Sequence, residues 1–347
     1  MALTQRDHTI DILKGWAILL VVLGHLQQTP LIFNIWIYSF HLPLFFFCSG
    51  LLLAPERSAS FRDYLLARVR GIVLPYLSLA AFAWLMAKVW DLVLIVLHQA
   101  PEIWNWDLDY LLVALVLNRR LHWFYQDMWF VNTLFLAEVA FYFIGRWSKG
   151  RWTVLAPLSF GFALLQAFVC RFAEGGVWSV DLVPSCLCFL CLGYLLRQVG
   201  PGLKEKAKVW QLPVAFGLNV GFALLNFALS GERVDLYFDK VGNPVCFYLA
   251  ACAGIWAAYV AAVWMGSMRI TEFFGRNSLI VYALQQKLAI RVGEEGASWL
   301  YDHSSLAADQ AFQLLFTFVV AILVSAGMIA FVHRFCPWLL WRKKRKT

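Results

Sequence analysis

Asp11, Lys14 and His25 stand on one apolar run of helix length near the N-terminus, Asp11-Ile-Leu-Lys14 through Leu23-Gly-His25. At about 100° per residue, the eleven steps from Lys14 to His25 bring a helix back to nearly the same face, about 16 Å further along. Asp11 falls within about 40° of that face. Ionisable groups in a membrane-type segment are costly, so each marks a functional position by default. An imidazole titrates near neutral pH and can take a proton from a hydroxyl attacking a thioester, which makes His25 the candidate general base. The bland alternative is a core histidine bonded to a carbonyl. If Asp11 marks the inner boundary, His25 lies about 21 Å higher, in the outer half of a core about 30 Å thick. Asp11 is then too far away to orient the imidazole and reads as a boundary or Arg-pairing residue.

The elements that must position these groups are membrane helices. Of 347 residues, 61% are hydrophobic and only 14% charged, against about 25% charged in soluble domains. That much apolar surface cannot be hidden in one soluble core of this length. Ten spans are expected, at about 11–27, 31–54, 72–97, 122–145, 152–172, 181–199, 209–230, 244–266, 274–291 and 311–335. With both termini cytoplasmic, Arg57, Arg62, Arg68, Arg70, Arg146, Lys149, Arg151, Lys204, Lys206, Lys208, Arg269 and Arg276 fall inside. Glu102, Asp107, Asp109, Glu232, Asp235, Asp239, Glu294 and Glu295 fall outside, as the positive-inside rule requires. Segment 98–121 is too short to span and too apolar to be solvated, and reads as re-entrant or interfacial. Residues 336–347 form a basic cytoplasmic tail, and 1–347 read as one integral unit. The net charge of +8 sits in short breaks and in this tail, which is membrane anchoring and not a nucleic-acid groove. The expected fold class is therefore all-α and polytopic.

Five further segments join the first in one order. They are His41-Leu-Pro-Leu-Phe-Phe-Phe-Cys-Ser49-Gly50, Arg68-Val-Arg70-Gly-Ile-Val-Leu-Pro75-Tyr76, Trp129-Phe130, Phe189-Leu-Cys-Leu-Gly193-Tyr194 and Gly275-Arg-Asn-Ser278-Leu-Ile-Val-Tyr282. Together with the Lys14-to-His25 spacing, they resemble the membrane acyltransferase-3 family along most of the chain. The chain departs from that family's pattern at Gln285, where a histidine often stands. The resemblance implies an integral-membrane O-acyltransferase, usually moving acetyl from acetyl-CoA to hydroxyls of cell-surface sugars or their lipid-linked precursors. It implies a multi-pass protein of the bacterial inner membrane, an acyl-CoA and a glycan as partners, and no permanently bound cofactor.

Against that expectation, Lys14, Arg68 and Arg70 are candidate holders of the donor's phosphates, with positive-inside anchoring as the alternative for the arginines. Asp127 and then Asn132 come nearest the level of His25 on the fourth span and are the candidates to orient it. Glu138 lies deeper and is expected to pair with an inner-side arginine. His41, beside Pro43, either lines the acyl path or donates to a carbonyl freed by the proline. Gln285 and Gln286 suit contacts to acceptor hydroxyls, and interhelical hydrogen bonds equally. Ser49-Gly50 reads as close helix packing, since no base is placed at its level. Lys88 and Asp91 are expected to pair and snorkel. Cys186-x-Cys188-x-x-Cys191 has no nearby His or carboxylate to complete four ligands, so these cysteines read as helical core and no metal is expected. A proton-coupled transporter using His25, Asp127 and Glu138 as a relay is the alternative function. It is disfavoured by the absence of a second copy of the His25 signature.

Overall fold

The computed structural model describes residues 8–96, 129–169, 177–200, 202–303 and 309–341. Asp127, segment 98–121 and the tail from 342 onward lie outside the described residues. Among the described residues the chain is helical apart from short connections and one isolated bridge between Asp235 and Lys240. Seven helices among these residues are long and apolar enough to cross a membrane. They cover seven of the ten expected spans; of the rest, Trp129–Ser148 carries Glu138 and Arg146, Trp152–Phe168 has 17 residues, and the ninth is broken. The chain is a multi-pass membrane protein.

Helix α1 runs from His8 to His25. Helix α2 (Leu31–Tyr38) and helix α3 (His41–Leu52) replace the single expected second span, because the backbone turns at Phe40 (φ −147°, ψ −16°). Pro43 follows in the first turn of α3, where a missing N–H costs nothing. Helix α4 (Phe61–Arg68) starts eleven residues before the expected third span. Its Ser60 Oγ accepts from the Asp63 N–H at 3.1 Å, the N-cap that the sequence Ser60-Phe-Arg-Asp63 offers. A π-turn over Val69–Val73 joins α4 to α5 (Leu74–Val96). Then come α6 (Trp129–Ser148), α7 (Trp152–Phe168), α8 (Val183–Val199), a single-turn helix at Gly202–Lys206, α9 (Gln211–Ser230) and α10 (Pro244–Met265). The expected ninth span is in fact α11 (Arg269–Arg276), α12 (Ser278–Leu284), a π-turn over Gln285–Ile290, and α13 (Arg291–His303). The break falls at Asn277, whose side chain donates to the Phe273 carbonyl and accepts from His333 of α14 (Gln310–Phe335).

Two close crossings carry the centre. A methyl group on Gly15 would strike the Thr271 carbonyl, and one on Gly275 the Asp11 carbonyl, so α1 and α11 touch backbone to backbone. Gly50 against Leu190 and Gly193 against Phe47 bring α3 and α8 together in the same way. Without a hydrophobic driving force between helices in lipid, such small-residue contact gives the van der Waals gain that holds them. Cys186, Cys188 and Cys191 are buried in this packing. Lys88 and Asp91 do pair, at 3.4 Å, but they are buried rather than snorkelling. Arg291 of α13 reaches Asp91 at 2.6 Å and Glu295 at 2.9 Å, so a second helix supplies the compensation that burial demands.

Candidate active site

The two ends of the α1 stripe open into two different cavities. His25 lines one of about 190 Å³ together with His41, Trp129, Arg233, Asp235, Gln285 and Gln286. Lys14 lines another of about 250 Å³ with Ser49, Arg68, Glu138 and Ser278. Leu42 and Tyr282 line both, so the cavities share one wall. Aromatic packing thickens that wall: Phe130 stacks on Phe46 at 4.7 Å and meets the Tyr282 ring edge at 5.7 Å.

His25 is the last residue of α1, half-buried, with Nδ1 2.7 Å from the Val21 carbonyl. A carbonyl only accepts, so Nδ1 carries a proton, and in the neutral imidazole the lone pair belongs to Nε2. The carbonyl bond and the catalytic-base reading are therefore compatible: one nitrogen anchors while the other is left basic. Asn132 is not the group on Nδ1. It is buried on α6, faces Tyr76 and lines neither cavity. His41 likewise donates from Nδ1 to a carbonyl at 2.7 Å while lining the His25 cavity, but that carbonyl is Ile37, one turn back, and not the Ser39 carbonyl that Pro43 frees.

The connection between α9 and α10 closes the cavity, and sequence reasoning missed its part. Arg233 lies flat over the Tyr38 ring, Cζ 3.8 Å from the centroid, and Nη2 sits 3.3 Å from Asp235 Oδ2. Tyr38 is in turn 5.0 Å from His41 and 6.3 Å from His25, ring to ring, and its hydroxyl donates to the Gly24 carbonyl. Asp235 is held in a tight turn by paired backbone bonds with Lys240 and accepts from the Tyr237 N–H. Burial pushes its carboxyl above the ordinary value, and Arg233 opposes that rise. A signal for this site did exist: Arg233 is a cation in a connection otherwise rich in acids. Gln285 and Gln286 reach the cavity together because a π-turn begins at Gln285, and a wider turn lets consecutive residues line one space.

In the second cavity Arg68 Nη1 lies 2.8 Å from Glu138 Oε2, the pairing expected for Glu138. Asp11 pairs with Arg276 at 3.1 Å, the Arg-pairing of its two readings. Arg70 is exposed and lines neither cavity, so the two arginines expected together are separated. Two residues apart on a helical path, the two side chains leave on opposite faces. Lys14 and Arg68 put two cations beside one carboxylate, an environment able to receive an anionic group.

A family model described as an acyltransferase domain, Acyl_transf_3, matches residues 7–341, essentially the whole chain. No curated protein and no solved structure matches. The α1 stripe and its paired cavities thus sit inside a match that takes in every helix described above, and the chain belongs to the acyltransferase-3 family.

Proposed function

We propose that this membrane acyltransferase moves acetyl from acetyl-CoA to a hydroxyl of an envelope sugar, in an exopolysaccharide, an O-antigen or a lipid-linked precursor. His25 is the general base. The observation that carries the reading is the shared wall: a cationic cavity at Lys14 and Arg68 abuts, through Leu42 and Tyr282, a polar cavity that holds the Nε2 lone pair of His25. The donor's phosphates belong at the Lys14 end, on the cytoplasmic side, and the acyl arm passes the wall to bring its carbonyl to His25. The acceptor enters from the other face, where Gln286, Arg233 and Asp235 offer donors and acceptors to its hydroxyls. The bacterial inner membrane is the site that this topology suits, with both termini inside. A proton relay through Glu138 finds no support, since that carboxylate is spent on Arg68.

The test uses cells that express the full chain and a deletion strain. Glycans of the deletion strain should lose an acetyl mass, and expression of the wild-type chain should restore it. His25→Ala should fail to restore it while reaching the membrane at normal level, because removing a general base costs about 10²–10⁴ in rate. Restoration by His25→Ala at near-normal level sinks the base assignment; an unchanged glycan in the deletion strain sinks the substrate assignment.

A further inference from the structure

We propose that Gln285 supplies the amide N–H that holds the acyl carbonyl oxygen as it becomes an oxyanion. The inference rests on the acyl-CoA reading above. Gln285 is 1% exposed, yet neither Nε2 nor Oε1 has a hydrogen-bond partner among the described residues. Leaving a buried polar group unsatisfied is costly, so such groups call for a specific explanation. Here the amide lines the His25 cavity, which makes a ligand its natural partner.

Its position selects which ligand atom. Tyr282 is the wall between the cavities, and Gln285 follows it by three residues, lining the His25 cavity beside it. A carbonyl brought past that wall therefore meets Gln285 before it meets the groups further out. Arg233 spends Nη2 on Asp235 and its face on the Tyr38 ring; its Nη1, unpartnered among the described residues, reaches in from the connecting loop and not from the helix that carries Tyr282. Gln286 is half-buried and not sealed as Gln285 is. The deeper amide faces the donor; the shallower groups face the acceptor.

The step balances as follows. The acceptor oxygen bonds to the carbonyl carbon and its proton passes to His25 Nε2. The C=O π pair moves onto oxygen, where the Gln285 Nε2–H donates to it. The pair then returns, the C–S bond breaks, and the departing thiolate takes the proton from His25. An oxyanion donor acts whatever the attacking hydroxyl is, water included, whereas a residue that only contacts the sugar does not act on water.

That difference is the test. Full-length protein in nanodiscs is given acetyl-CoA without sugar, and CoA release is followed with a thiol-reactive dye. Gln285→Met keeps length and removes the N–H; Gln285→Glu keeps shape and sets an anion against the oxyanion. Both should lower kcat for release by about 10²–10³-fold, with the acetyl-CoA KM held within about threefold. Gln285→His, which keeps an N–H donor, should recover part of the loss. Release at the wild-type rate in the Met and Glu variants, or no recovery in Gln285→His, overturns the role. Wild-type protein that neither releases CoA nor acetylates glycan overturns the acyl-CoA reading itself, and the role of Gln285 with it.

Discussion

Replacing Arg68 separates the job that the structure gives its guanidinium, pairing with Glu138, from the one proposed for it, holding the donor. Its Nη1 is 2.8 Å from Glu138, whose side chain is almost wholly buried, while about a third of the arginine side chain is exposed. Arg68→Ala leaves that carboxylate without its cation. Breaking a fully buried pair costs about 3–5 kcal/mol, and partial exposure of Arg68 reduces this to about 2–3 kcal/mol. Glu138→Ala added to Arg68→Ala removes the orphan, so the double variant should regain most of the lost stability. It should not regain the donor. If Arg68 also grips a phosphate, one charge-assisted bond worth about 1.5–3 kcal/mol is gone in single and double variants alike. That corresponds to a rise of about 10- to 150-fold in the acetyl-CoA KM. The assay pairs thermal unfolding in detergent with acetyl-CoA saturation curves on the purified proteins. A double variant with wild-type KM refutes the donor role and leaves Arg68 as the partner of Glu138 alone.

The α1–α11 crossing yields two more expectations. Gly275→Ala drives a methyl group into the Asp11 carbonyl and should destabilise by about 1–3 kcal/mol; Gly71→Ala, with open space around the new methyl, should not lower the unfolding midpoint in the same scan. At the same crossing, the hydrogen bond from His8 holds the Glu272 carboxyl down at about 2, with further bonds from Ser267 and the Met268 N–H opposing the cost of burial. A depressed carboxyl stabilises the fold above its unfolded value near 4.5 and loses that contribution as pH falls toward about 2. The unfolding midpoint should therefore drop more steeply between about pH 5 and pH 3 in wild type than in Glu272→Gln, and parallel curves would remove Glu272 from the account.

Much of this protein was legible in the order of its residues, for reasons that are local. Membrane residence follows from composition, because the apolar surplus exceeds what one core can bury. The shared face of Lys14 and His25 follows from helical periodicity alone, and the family from short motifs within single helices. Pairing was legible where charge cost dictated it, as for Glu138 and Asp11 with arginines, but that these are Arg68 and Arg276 was decided by the packing. Periodicity cannot show where a helix breaks. The turn at Phe40, the Asn277 break and the π-turn at Gln285 decide that His41 lines the His25 cavity and that Gln285 and Gln286 enter it side by side. The group that anchors His25 was not legible either: it is not on another helix but is the Val21 carbonyl one turn back, since α1 ends at His25 and the ring folds onto its own backbone. Arg233 and Asp235 lie more than two hundred residues from His25 along the chain, and only the packing of α9 and α10 against α2 and α3 brings their loop over the imidazole. Local sequence could write each helix and its costly side chains. Which of those side chains share a cavity was settled by backbone contact at Gly15, Gly275, Gly50 and Gly193, a property of pairs of helices that no single helix contains.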